Sequence, residues 1–400
     1  MMIIKTIPYY FLIAALSSGC NTADKDKRVE SFPNPVVVDL AKAKETDSQI
    51  MLSQFAESIS YIRLSDEPLI GDVSMSQVRI NEDTIYVDWE NIYKYTPEGV
   101  FVKTLFTEGA GPGEAKKYSF TMSAFNEKER YVTFHSINKL SYSNYSFDGN
   151  YLGDTDDYMA DSITIKHVKT YYKDYQIFEY VNNHVDNNGK INMFGPHLFY
   201  ARNVHDGSIL HPYPNPACDE KATYKGRIVI GQGDLQYIHI DSLLWFKFLA
   251  LDTLYSTSDL KTICPKYIFN TNGTFMDMIT YTHAKVMDVH AAEVKNKKFV
   301  DAVLPLPDGG LMYTINGKLG IADNTGKTSG YTEKPVVNDI DDYLKTIDIK
   351  SYLTNRTFCV YKKHLYILVD AYRFFEEDCK PPFDNLTEDS SPVVVKIRLI

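Results

Sequence analysis

Short runs of alternating apolar and polar residues, broken by turn-forming residues, cover most of this chain. Ile85-Tyr86-Val87-Asp88-Trp89 is one run and Ile92-Tyr93-Lys94-Tyr95 the next; Pro97-Glu98-Gly99 then turns the chain, and residues 100–106 return. A period of two marks a half-buried strand. The same phrase recurs at 140–145 with Asp148-Gly149, at 198–204 with Asp206-Gly207, at 251–255 with Ser258-Asp259, and at 319–322 with Asn324-Thr325-Gly326. Such turns close hairpins because Gly accepts a positive φ without a steric penalty. They fall near residues 99, 149, 207, 259 and 326, spaced 50 to 67 apart, which suits a four-stranded propeller blade with generous loops.

A sixth phrase begins at 393–400, but the chain ends before a return strand. An N-terminal strand, at 36–40 or 59–64, is expected to complete that blade and so remove two open sheet edges. The predicted fold is all-β: a six-bladed β-propeller closed by an N-terminal strand. One segment departs from the pattern. Residues 275–298 hold no Gly or Pro and place Phe275, Met278, Ile279, Val286 and Val289 at near-helical spacing. They predict one inserted helix near 275–298, capped by Asn272 or Thr274.

The first residues read differently. Lys5 precedes an apolar stretch, 7–16, of signal-peptide length and too short to span a bilayer. It runs into Leu16-Ser17-Ser18-Gly19-Cys20, which resembles a lipobox, although the Leu stands four residues ahead of the Cys and not the usual three. This predicts a signal peptide over 1–19, lipidation (palmitate or a similar acyl chain) at Cys20, a polar flexible tether over 20–35, and the propeller over 36–400. The implied partner is a membrane, reached through the lipid anchor in the cell envelope, with the outer membrane expected. Each buried methylene of such an anchor contributes about 0.8 kcal/mol.

Composition adds two constraints. The formal charge of −10 and pI near 5.5 repel a phosphate backbone, so no nucleic-acid partner is expected. Tyr is abundant, 30 residues against 21 Phe and 2 Trp, which suits strands needing an apolar body and a polar tip. Beyond Cys20 the cysteines are Cys218, Cys264, Cys359 and Cys379, without CxxC spacing. Four allow three disulfide pairings, and sequence does not choose among them.

The stretch 101–114, with Glu108-Gly109-Ala110-Gly111-Pro112-Gly113-Glu114, resembles the Gly-Pro-Gly-Glu signature of six-bladed β-propeller lipoproteins of Bacteroidota. Ile59-Ser60-Tyr61-Ile62-Arg63-Leu64 resembles that family's opening strand, and Leu251-Asp252-Thr253-Leu254-Tyr255 a later one. The resemblance implies the fold and an envelope location. It carries no general activity.

The remaining candidates for chemistry are weak. Gly109, Gly111 and Gly113 match neither GxGxxG nor a Walker loop, and Pro112 removes an N–H that a phosphate nest needs; a tight turn is the better reading. Ser146-Phe147-Asp148-Gly149-Asn150 lacks the Thr-Trp of a sialidase Asp-box. His283 and His290 lie two helical turns apart, about 10.5 Å along an axis, too far to share one ion. His205 and His211 flank Asp206 and meet only if the loop folds back. Asp339-Ile340-Asp341-Asp342 lacks the Gly and closing Glu of an EF-hand. Asp-Ser/Thr-apolar triplets at Asp83-Thr84-Ile85, Asp161-Ser162-Ile163, Asp241-Ser242-Leu243 and Asp252-Thr253-Leu254 resemble an O-glycosylation sequon of exported Bacteroidota proteins. No catalytic residue, metal ligand or cofactor site is assigned.

Two functional classes follow. The first is a non-enzymatic envelope lipoprotein binding a protein, peptide or glycan on the propeller's face or in its channel. The second is a propeller hydrolase or lyase with a metal site at the channel mouth. Three or more His or carboxylate groups converging in the channel favour the enzyme, and a channel of tyrosines and amides favours binding. The anchor is tested by feeding expressing cells an alkyne fatty acid: wild type is expected to label and Cys20→Ala to be exported unlabelled, whereas equal labelling contradicts lipidation at Cys20.

Overall fold

β-Branched and aromatic residues fit a pleated, half-buried surface, and in a computed structural model the runs rich in them are strands. The structure describes residues 34–71, 73–117, 123–136, 141–156, 164–182, 184–185, 191–192, 197–214, 223–224, 235–276, 297–376 and 379–400. Six sheets stand in a ring, each pairing strands in chain order, as a β-propeller. Blade 1 is Gln77–Asn81, Thr84–Asp88, Ile92–Tyr95 and Phe101–Thr104; blade 2 is Ala124–Asn126, Tyr131–Ser136, Ser141–Ser146 and Tyr151–Asp156. Blade 3 is Thr164–Tyr172, Tyr175–Asn182, His197–Asn203 and Ile209–Pro214, and blade 4 is Leu235–Ile240, Leu243–Phe248, Thr253–Thr257 and Cys264–Asn270. Blade 5 is Val300–Pro305, Leu311–Ile315, Lys318–Ala322 and Thr328–Thr332. Blade 6 takes Phe358–Tyr361, His364–Val369 and Val393–Leu399 from the end of the chain, and its outer strand, Ala56–Arg63, from the beginning.

The five turns read from the sequence are the hairpins between the third and fourth strands of blades 1 to 5. Gly99, Gly149, Gly207 and Gly326 take positive φ there, and in blade 4 Leu260 does so beside Ser258-Asp259. The expected helix near 275–298 falls on residues 277–296, which lie outside the described residues; Phe275 and Lys298 at its two ends form a parallel bridge. The α-helix among the described residues is Ile349–Asn355, between blades 5 and 6. Asp348 caps its start by accepting from Ser351 N–H, and Arg356 ends it in the left-handed region at φ 60°.

Ring closure uses the second of the two N-terminal segments. Ile59 pairs with Ile397, Tyr61 with Val395 and Arg63 with Val393, antiparallel. Val393, Val394, Val395 and Ile397 are completely buried, and burying each such side chain contributes about 1.5–3 kcal/mol. The first segment goes elsewhere: Val36–Asp39 runs parallel to Cys264–Asn270 as a fifth strand of blade 4. Between the two, the chain follows blade 5, with Tyr331 N–H donating to Lys44 O (3.2 Å) and Val337 N–H to Ile50 O (2.9 Å). Residues 36–63 are therefore a strap across the outer edges of blades 4, 5 and 6. Gly326 makes room for it: a Cβ there would lie 2.0 Å from Val37 O.

The acidic run 339–342 fastens this strap. Asp339 accepts from Ser53 N–H (2.9 Å) and Oγ–H (2.5 Å), and Asp341 accepts from Tyr61 Oη–H (3.0 Å) and Asn338 Nδ2–H (2.7 Å). The run lacks an EF-hand's pattern, and two of its carboxylates hold the closing segment.

Neighbouring blades are tied by side chains of their first and second strands and of the links between blades. Gln77 Nε2 donates to Arg356 O (2.7 Å) from blade 1 to the approach of blade 6. Asp88 of blade 1 accepts from Lys117 Nζ at 3.0 Å, both side chains at most 2% exposed, and from Ser123 N–H at 2.7 Å. Thr133 Oγ1 and Tyr171 Oη lie 2.7 Å apart across blades 2 and 3, and Thr170 Oγ1 and His239 Nε2 3.0 Å apart across blades 3 and 4. Gln236 of blade 4 both donates to and accepts from the Val303 peptide of blade 5, at 3.0 and 2.9 Å. Lys247, 2% exposed, crosses the same seam to Val300 O at 3.0 Å. Blades 5 and 6 meet through apolar packing, where Leu304, Met312, Ile349, Leu353, Ile367 and Val395 share one cluster.

Candidate functional site

The first strand of each blade faces the ring's axis, because the meander runs outward from it. Five of these six strands, all but Val300–Pro305, line a central cavity of about 880 Å³, within the size range of small-molecule sites. Period-two alternation points Gln77, Arg79 and Asn81 to one side of the blade 1 strand, and all three line the cavity. Blade 2 adds Asn126 and Glu127, blade 3 Lys169 to Lys173, blade 4 Gln236 to Ser242, and blade 6 Cys359 to Lys363. The helix end contributes Thr354, Asn355 and Arg356.

The rim on one side is built from the hairpins that leave the inner strands. Their turns place non-glycine residues in the left-handed region: Glu82 and Asp83, Arg130, Lys173, Asp241, and Lys362 with Lys363. Each such residue costs about 1–3 kcal/mol, and all are charged. The blade 5 hairpin, whose inner strand does not line the cavity, uses Gly309 instead. Ion pairs of Lys362 with Asp83 (3.2 Å), Arg130 with Glu82, and Lys128 with Asp174 join the tips of blades 6, 1, 2 and 3. Lys173 Nζ continues to Ser258 O of blade 4 at 2.6 Å.

Inside the rim the polar groups are less fully paired. Gln77 Oε1, Arg79 Nε, Asn81 Nδ2 and Asn126 Nδ2 are buried atoms without a hydrogen-bond partner. Arg79 projects among several blades. Its charge acts on Glu127 of blade 2, His239 of blade 4 and Cys359 of blade 6. Burial pushes the His239 imidazole down to about 4, and Arg79 adds to the fall. Burial raises the Glu127 carboxyl from its ordinary value, which Arg79 opposes without cancelling. Glu127 is reached by solvent from the cavity while protein surrounds it. Burial also raises the Cys359 thiol and holds Tyr171 well above its usual range.

The sequence candidates distribute as follows. Cys20, Cys218, His283, His290 and the Asp161-Ser162-Ile163 triplet lie outside the described residues. Cys264, Cys359 and Cys379 are free thiols. His205 and His211 do not meet: His205 Nε2 contacts Asp174 Oδ1 at 3.2 Å, while His211 stacks on His197 at 4.3 Å. Glu129, Asp174 and His205 have ligand atoms within 4.8 Å of one another, but the Lys128 ammonium already occupies Asp174, and none of the three lines the cavity. The Gly-Pro-Gly-Glu loop is a self-closed turn. Glu114 Oε2 accepts from Gly111 N–H at 2.8 Å, and a Cβ on Gly109 would lie 2.0 Å from that oxygen. Ser242 is exposed at the rim, whereas Thr253 is 7% exposed and donates to Asp252 at 2.9 Å. No sequence candidate marked Arg79, Asn81, Asn126, Glu127 or His239; the available signal was only polar residues alternating along a first strand.

Residues 22–177 match a family model described as a domain of unknown function, DUF4933. No curated protein matches the chain. Among solved structures, a protein from Bacteroides fragilis named as exported is 13% identical over 91% of this chain and 99% of its own, with a TM-score of 0.56. A DUF4221-family member from Bacteroides vulgatus is 13% identical, covering 86% of this chain and 97% of its own, with a TM-score of 0.49. A streptogramin B lyase is 11% identical over 86% and 98%, with a TM-score of 0.40. The likeness is one of fold.

His239 makes the site acid-labile. The unfolded imidazole titrates near 6.5 and the folded one near 4. The unfolded chain therefore takes up the proton first, so this group's contribution to stability is complete above pH 6.5 and is lost as pH falls to 4. Urea denaturation at stepped pH is expected to show wild type losing about 2–3 kcal/mol more between pH 7 and 4 than His239→Gln. Parallel curves for the two proteins contradict the buried neutral imidazole.

Proposed function

We propose that this chain is an exported, lipid-anchored β-propeller that binds a small polar ligand in its channel without transforming it. The observation that carries this reading is the set of unpartnered buried atoms on cavity-lining residues: Gln77 Oε1, Arg79 Nε, Asn81 Nδ2 and Asn126 Nδ2. Native interiors leave few polar atoms unsatisfied, and each costs about 1–3 kcal/mol. Asn126 is fully buried, and Gln77, Arg79 and Asn81, which keep some accessible surface, gain partners by turning toward a ligand in the cavity. The lining supports the same reading, with five amide side chains and the tyrosines Tyr142, Tyr171, Tyr172, Tyr237 and Tyr361. Among the described residues, the one trio able to hold a metal ion, Glu129, Asp174 and His205, does not line the cavity. A neutral His239, held to Thr170 across a blade seam, serves as a tie between blades and a neutral hydrogen-bonding wall.

Export and anchoring rest on the apolar stretch 7–16 and on Cys20, and place the channel in the cell envelope on a short tether. The full lipoprotein, purified from envelopes and denatured, is expected to release a small molecule in stoichiometric amount. Asn81→Leu, which replaces a donor with an apolar group, is expected to release less than a tenth as much. A stoichiometric transition metal by elemental analysis, or equal release from both proteins, contradicts the proposal.

A further inference from the structure

The channel is basic in an acidic protein. Seven basic side chains line it, Arg79, Lys128, Lys169, Lys173, Arg356, Lys362 and Lys363, against three acidic ones, Glu82, Glu127 and Asp241, a surplus of four positive charges in a chain whose formal charge is −10. Most of that surplus is already engaged. Lys128 and Lys362 are ion-paired, Lys173 donates to Ser258 O, and Arg356 donates to Leu235 O at 2.9 Å. Arg79 differs. Its Nε is buried and has no partner, and among the described residues its guanidinium has no ion pair. A partly buried guanidinium left open is a strong anion site, because its planar fork matches a carboxylate with two parallel hydrogen bonds.

The surroundings limit the anion. The Glu127 carboxyl lies near enough to feel the Arg79 charge, yet burial still raises its pKa. A dianion would add two negative charges to the Arg79–Glu127 pair and a monoanion only one, so the like charge of Glu127 disfavours the dianion more. Asn81 and Glu127 line the cavity with accessible surface of their own, whereas Asn126 is fully buried. Building on the reading of the channel as a binding site, we infer that it takes a small monocarboxylate that also bears hydroxyl or amide donors. Arg79 grips the carboxylate, Asn81 turns its amide to it, and Glu127 receives the ligand's own donors. A sugar acid and the carboxy-terminus of a short peptide share this chemistry.

The test is thermal denaturation of the full mature protein at fixed ionic strength with four probes. D-glucuronate and N-acetylglycylglycine carry the carboxylate; glucose and N-acetylglycylglycine amide are their neutral counterparts. At saturating probe, at least one carboxylate is expected to raise the Tm by about 2 °C or more, its neutral counterpart is not, and Arg79→Gln is expected to abolish the shift. Arg79→Lys keeps the charge without the fork and is expected to halve the shift at least, which decides the matter should the Gln variant fail to fold. Which carboxylate acts separates the two sources. No shift with either carboxylate, or a shift that survives Arg79→Gln, overturns the inference. Equal shifts with a carboxylate and its neutral counterpart also overturn it while leaving the channel as a binding site.

Discussion

An open ring of six blades would carry two free sheet edges, each a row of unpaired N–H and C=O groups beside exposed apolar side chains. Here both ends of the chain meet in one blade, where Ala56–Arg63 pairs antiparallel with Val393–Leu399. The cavity depends on that pairing as well as on the ties between neighbouring blades, because its lining comes one strand at a time from separate blades. The strap formed by residues 36–63 extends the closure over blades 4 and 5, and Asp339 and Asp341 lock it from the side. Closure and channel are therefore one structural problem.

At the rim, the physics is a compromise between backbone and charge. Glycine or asparagine would occupy the left-handed turn positions at less cost, yet charged residues stand there on five blades. Single exposed ion pairs stabilise little, but here they join four successive blades, 6, 1, 2 and 3. This belt engages Lys128, Lys173 and Lys362 of the seven basic residues that line the channel, and the Arg79 guanidinium stands apart from it. The rim joins neighbouring blades, and the interior keeps polar groups unpaired.

The fold was legible because its grammar is local. Each outer hairpin carries its own turn residues, so Gly99, Gly149, Gly207 and Gly326 announced blades without knowledge of any long-range contact. The missing return strand after 393–400 announced closure in the same way, although two N-terminal segments were equally suitable. Only packing separated them: residues 59–64 closed the ring, and residues 36–40 added to blade 4, where Gly326 leaves space for Val37. The site was not legible, because its residues come from five inner strands and share no spacing. Gln77, Asn126, Thr170, His239 and Cys359 are neighbours only after the ring exists. Lys247 shows the same limit on a smaller scale. A lysine on a strand reads as solvent-facing, but here it is buried against Phe248 O, Leu249 O and Val300 O and faces the Phe269 and Phe275 rings, and burial pushes its ammonium down to about 7.

Native-state hydrogen exchange tests most directly whether the N-terminal strand holds the ring. If Ala56–Arg63 closes the propeller, the amides of that strand and of Val393–Leu399 should exchange together, with the same opening free energy as the inner strands that line the cavity. Both strands should then respond alike to denaturant. Exchange of the 56–63 amides at a markedly lower opening free energy, with the inner strands still protected, would contradict the account: the ring would stand without its strap.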